Sequence, residues 1–101
     1  MPFGIMLDVA APVEVYDQIH AHLMAQGPRA SEGLVLHVGH ATDSGFRVVE
    51  VWESREAYDR FTTELMVPMM TAMDPEHAGP PPVATEFEVR GLVIPGAHVM
   101  A

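Results

Sequence analysis

The sequence predicts an α+β fold of order β-α-β-β-α-β, an antiparallel sheet with two helices on one face. Three observations carry this. Two apolar runs, Gly33 to Ala41 and Phe46 to Glu53, flank the turn-forming Thr42-Asp43-Ser44-Gly45, the pattern of a β-hairpin. Stretches with apolar residues at helical spacing precede and follow that hairpin. Short strand-like segments stand at the two ends of this arrangement, Phe3 to Val9 and Val83 to Val93.

The first strand, Phe3 to Val9, lies between Pro2 and Pro12 and puts Phe3, Ile5, Leu7 and Val9 on one face. Pro12 suits the first turn of a helix, and Glu14 and Asp17 favour its N-terminal dipole end. Val15, Tyr16, Ile19 and Leu23 form its apolar stripe through to Gln26, and Gly27-Pro28 stops it. The segment PRASEG is a connection.

In the hairpin, Asp43 and Ser44 as loop residues would pair Thr42 with Gly45, His40 with Arg47, His37 with Glu50 and Val35 with Trp52. Ser54 is a good N-cap for the second helix and Glu56 sits in its first turn. Ala57, Tyr58, Phe61, Leu65 and Met69 give it an apolar stripe, and Pro68 is expected to break or kink its last turn. TAMDPEHAGPPP, residues 71–82, reads as a Pro-rich loop, a lid or a spacer. The last strand alternates Glu86, Glu88 and Arg90 with Thr85, Phe87 and Val89. The tail IPGAHVMA is expected to contact a partner or fray. The whole is ferredoxin-like, residues 1–101 forming a single domain.

The chain has 101 residues, 49% of them hydrophobic. A domain this short buries only about 60–65% of its unfolded surface, so an excess of apolar residues points to a partner surface, by default a symmetric homodimer. The sheet face carrying Leu36, Val38, Val49 and Val51 is the one to be covered. Fourteen Asp and Glu against five Lys and Arg give a net charge of −9, which disfavours nucleic acid and anionic membrane surfaces. There is no cysteine, so disulfides and thiolate metal sites are excluded. The N-terminus reads as a strand rather than a signal peptide, and no apolar run approaches the roughly 18 residues that span a bilayer. A cytoplasmic location is the simplest expectation.

GLVLHV, a short turn, GFRVVEVWESREAYDRF, a Pro-rich loop and a last strand together resemble the antibiotic-biosynthesis-monooxygenase-like family of dimeric α/β barrels, in particular its small actinobacterial members. The resemblance covers nearly the whole chain in element order, and its specific part is the hairpin with the Trp52-Glu53-Ser54 junction. It implies a homodimer whose two sheets close a barrel, with a pocket in each subunit between sheet and helices. It also implies that Trp52 lines that pocket. The His-Asn pair that relatives carry near the end of the last strand is here Val89-Arg90-Gly91, so the resemblance assigns no histidine there. The family includes cofactor-independent oxygenases and haem-degrading enzymes.

In the proposed register Val35, His37, Glu50 and Trp52 share one face. His37 beside Glu50 is either a general base with an orienting carboxylate or a cross-strand polar pair that satisfies itself. Trp52, Val35, Tyr58 and Phe61 are candidate substrate-binding residues or core, and Arg90 neutralises either an acidic substrate or Glu86 or Glu88. His20 and His22 point in different directions on a helix, so they do not chelate one metal, and no metal or cofactor is expected. His77 and His98 fall in loop and tail. Met66, Met69, Met70 and Met73 fill core or line an apolar or haem pocket. Taken with His37 and Glu50 as a base pair, the resemblance implies a cofactor-independent monooxygenase-type enzyme acting on an aromatic or polyketide-like small molecule. A cyclase or isomerase with the same base, or a non-catalytic binding module, are the alternatives.

Overall fold

The computed structural model describes residues 2–73, 81–97 and 99–100. His77, His98 and most of the Pro-rich loop lie outside them. The element order is β1 (Phe3–Val9), α1 (Val13–Met24), a 3-10 turn (Gly27–Ser31), β2 (Leu34–Thr42), β3 (Gly45–Trp52), α2 (Arg55–Phe61), a π turn (Thr62–Met66), α3 (Val67–Met73) and β4 (Val83–Glu88). A small ribbon of β5 (Val93–Ile94) and β6 (Val99–Met100) follows. The sheet is antiparallel with strand order β2-β3-β1-β4, the ferredoxin-like arrangement that the hairpin and flanking helices predict.

Helix α1 starts on Pro12, whose φ of −59° is already helical, and Glu14 sits in its first turn. It ends two residues earlier than the periodicity suggests, and Gly27 then takes φ +75°, a left-handed position that glycine occupies without a Cβ penalty. Helix α2 starts on Ser54, whose Oγ accepts from the Ala57 amide at 3.1 Å. Pro68 does not break the helical run. The ladder widens before it, with the Val67 amide donating to the Thr62 carbonyl five residues back. That wider turn carries the chain past the proline, whose ring and missing N–H would otherwise disrupt an α-helical ladder, and the helix resumes as α3.

Leu23 of α1, Ala30 of the 3-10 turn, Ala57 and Phe61 of α2 and Leu65 of the π turn pack around Trp52, with Phe3, Ile19 and Leu34 at the margin. Both helices therefore cover the sheet face that carries Trp52. The register pairs of the other face are Leu36 with Val51, Val38 with Val49, and Met6 with Val49.

Two further expectations need correction. Val35 does not pair with Trp52. A bulge between Leu34 and Leu36 takes Val35 out of the ladder and brings Leu34 opposite Trp52. The last strand stops at Glu88 rather than Val93, so Arg90 lies outside it. Of the tail, the described residues form the β5–β6 ribbon around the turn Pro95–Ala97.

Candidate functional site

The hairpin register brings His37 of β2 directly opposite Glu50 of β3, as the turn chemistry predicts. Paired residues of an antiparallel ladder share a face, and this face is the one under the helices. Glu50 is a carboxylate in the core, 6% exposed. Such a charge costs several kcal/mol to bury unless its oxygens are partnered, and both are. Trp52 Nε1 donates to Oε1 at 3.2 Å, and His37 Nδ1 lies 2.7 Å from Oε2.

An ionised carboxylate only accepts, so Nδ1 carries the proton and donates. In the neutral imidazole Nε2 is then the free lone pair, and it meets the Tyr16 hydroxyl at 2.7 Å. Burial raises the Tyr16 phenol above its ordinary value first, and the charges of Glu50 and Asp17 add to that. Tyr16 therefore stays protonated and donates to Nε2. Its oxygen is also 3.5 Å from Nδ1 of His20, one helical turn on.

The rings of Tyr16, His20 and His37 stack, with centroids 5.6–5.9 Å apart. Gly39 of β2 makes room for them: a Cβ there would stand 2.3 Å from the Tyr16 ring. The result is a continuous hydrogen-bonded chain, Trp52 to Glu50 to His37 to Tyr16, running from the core towards the β2 edge. Among the described residues no buried side-chain nitrogen or oxygen lacks a partner. Chemically it is a base whose conjugate acid is stabilised by a fixed carboxylate.

Of the other expected site residues, only Trp52 joins this chain. Trp52 has no exposed surface and packs on Phe61, 4.9 Å between centroids, and edge-on to Tyr58 at 5.9 Å. In the protomer these three fill the space between sheet and helices. Burial raises the Tyr58 phenol, against a hydrogen bond to Thr62. Val35 sits on the bulge, apart from Trp52. Arg90 is exposed, with no ion-pair partner among the described residues. Glu86 instead pairs with Arg55, which also lies over the Phe3 ring at 5.2 Å.

Tyr16 and His20 are site residues beyond those expected from the sequence, where Tyr16 counts only in an apolar stripe and His20 pairs poorly with His22 for a metal. Their i, i+4 spacing on the helix that must cover the His37 face was the available signal.

Among the described residues, clefts also lie away from this hydrogen-bonded chain. One, about 30 Å³, lies among Arg29, Glu32, Arg60 and Glu64 and suits a single water. Another, about 170 Å³, is an apolar trough of Met66, Val67, Met70 and Thr71. It is smaller than the roughly 300–1,000 Å³ of small-molecule pockets, so these methionines do not by themselves make a haem site. Among the described residues no group of three or more His, Asp or Glu is placed to hold a metal, and no helix is long and apolar enough to cross a membrane.

No family model matches the chain, and no curated protein matches it by sequence. Solved structures do match its fold. It is similar to Rv0793 from Mycobacterium tuberculosis, with TM-score 0.63 and 18% identity over 88% of this chain and 95% of that one. It is similar to SnoaB, a cofactor-independent oxygenase from Streptomyces nogalater, with TM-score 0.57 and 20% identity over 93% and 95%. It is also similar to the monooxygenase from ActVA-Orf6 of Streptomyces coelicolor, solved with the ligand nanaomycin D. There the TM-score is 0.50 and the identity 23% over 93% and 90%. The fold is that of the antibiotic-biosynthesis-monooxygenase-like proteins.

Proposed function

We propose that the chain is a cofactor-independent monooxygenase-type enzyme acting on an aromatic or polyketide-like small molecule. The observation that carries the reading is the Glu50–His37 pair, a buried carboxylate fixing one imidazole nitrogen so that the other is a base. The fold it shares with SnoaB and the ActVA-Orf6 protein supplies the class. In this reading His37 takes the proton of a phenolic or enolic O–H and Glu50 stabilises the imidazolium that results. The resulting carbanion reacts with dioxygen. An anthrone-type methylene then becomes a carbonyl, with one oxygen atom kept in the product and the other leaving as water, so no external reductant is needed. Trp52 holds Glu50 in place from the core side.

The open sheet face is in this proposal covered by a second copy, two sheets closing a barrel. Val38, Val83 and Phe87 are exposed on the protomer, and apolar groups gathered on one sheet face mark an interaction surface. Gel filtration with light scattering should return twice the protomer mass. Oxygen uptake with anthrone- or quinol-type substrates should be abolished in His37→Ala, and turnover unchanged by that substitution would sink the base assignment.

One observation favours a second reading, a non-catalytic small-molecule-binding module. Glu50, His37, Trp52 and Tyr16 are hydrogen-bonded to one another, as in a purely structural network. Ligand binding retained in His37→Ala, with no turnover in either protein, would select it. A cyclase or isomerase would keep the His37 dependence and consume no oxygen.

A further inference from the structure

The lone pair of His37 that the proposed chemistry needs is not open to a ligand. Tyr16 covers it, with Oη 2.7 Å from Nε2. Three features hold Tyr16 there. Its ring stacks on His37 and His20, leans on Phe46 at 5.7 Å, and lies against the bare backbone of Gly39. It also stands within the regular helix α1, so displacing it means moving that helix or stripping the stack. Its hydroxyl gives its one proton to His37 and keeps acceptor capacity on the side of His20.

We propose that Tyr16 is a catalytic residue, the group that meets the acidic O–H of a planar phenol or enol and relays its proton to His37. This rests on the reading of His37 and Glu50 as a base. The transfer balances without any redox change. The ligand O–H bond breaks as a new bond to Tyr16 Oη forms, and the original Oη–H bond breaks as the Nε2–H bond forms. Tyr16 is unchanged, His37 becomes imidazolium against the Glu50 carboxylate, and the ligand is left as an oxyanion accepting a hydrogen bond from Tyr16. His20, stacked beside Tyr16 with Nδ1 3.5 Å from its hydroxyl, borders the place where that oxyanion stands. A flat aromatic ring continues the stack.

The test uses 4-nitrophenol, whose ionised form alone is yellow, titrated into the intact protein below the probe's own pKa. The wild type should show the bound phenolate band. Tyr16→Phe keeps the ring and its stacking but has no proton to relay, and should lose the band. His37→Gln should lose it as well, with circular dichroism confirming that both variants fold. A band that persists or strengthens in Tyr16→Phe while His37→Gln loses it would overturn the relay and leave His37 as a base reached directly. A band that survives in His37→Gln would overturn the base reading itself. Absence of the band in the wild type would overturn the relay.

Discussion

On the side of the sheet under the helices, Ile5, Glu50 and Trp52 keep 2%, 6% and 0% of their exposure, while on the other side Val38, Phe87 and Val83 keep 44%, 39% and 64%. The dry side thus holds a carboxylate and the wet side holds valines and a phenylalanine. Each arrangement costs free energy taken alone, and the two are compensated differently. Glu50 is partnered inside the protomer, by Trp52 and His37. On the open face Val51 is covered within the protomer, at 4% exposure, but among the described residues Val38, Val83 and Phe87 stay exposed. The Arg47–Asp8 ion pair of that face, 2.7 Å and half-exposed, adds only a modest contribution. Phe87 partly covers itself by lying over β1 where Gly4 has no side chain. One face is thus finished within one chain, and the other is the face that the proposed second copy would finish.

The strongest way to break the finished side is Trp52→Ala. It opens a cavity in the core and removes the donor to Glu50 Oε1, and denaturant unfolding should show a loss of about 3–5 kcal/mol. Gly39→Ala is next. Its Cβ would stand 2.3 Å from the Tyr16 ring, so ring or strand must move, at about 1–3 kcal/mol by the same measurement. The Tyr16–His37 hydrogen bond should be lost with it, seen as a changed His37 imidazole nitrogen spectrum. Ser54→Ala removes the cap that fixes the start of α2 and should cost about 1 kcal/mol.

Val38→Asp sharpens the contrast from the other side. It should leave the stability of the protomer within about 0.5 kcal/mol and shift the proposed dimer to half its mass in light scattering. A wild type already at protomer mass would refute the second copy.

The pH dependence is smallest over the ordinary range and has a definite sign. Both tyrosines are raised chiefly by burial, so the folded state holds their protons more tightly than the unfolded one, whose phenols titrate near pH 10. Their effect is absent below that value, and stability falls as the pH rises through the folded values. Absorbance titration should place both phenols above the free value when folded and return them to it in urea.

Much of the fold was legible because the informative signals were local. Thr42-Asp43-Ser44-Gly45 set the hairpin register, and that register alone predicted His37 opposite Glu50. The Ser54 cap behaved as its sequence position implies. What was not legible depended on non-local contacts. Alternation continues from Glu86 through Arg90, yet the ladder with β1 ends at Glu88, and nothing in the residues marks where a partner strand runs out. Pro68 reads as a helix breaker unless the preceding turn widens, an option invisible to a 3.6-residue period. Tyr16 counts as apolar in any periodicity, so its hydroxyl gains meaning only from the way α1 lies across β2. The pairing of carboxylate and imidazole was therefore readable, and the phenol that covers the imidazole was not.

The bulge at Val35 gives the hairpin a tolerance that a regular ladder lacks. Leu34 and His37 are three residues apart, an odd spacing that would put them on opposite faces of a straight strand, yet both pair with residues of the Trp52 face. The extra residue absorbs the mismatch. A lineage or a designer could therefore excise Val35 and leave every remaining cross-strand partner where it is, whereas a deletion between Leu36 and Thr42 would slide the partners of every residue on one side of it. The strand thus carries one place where length can change without a frameshift of its faces, and it lies between the core and the chemistry.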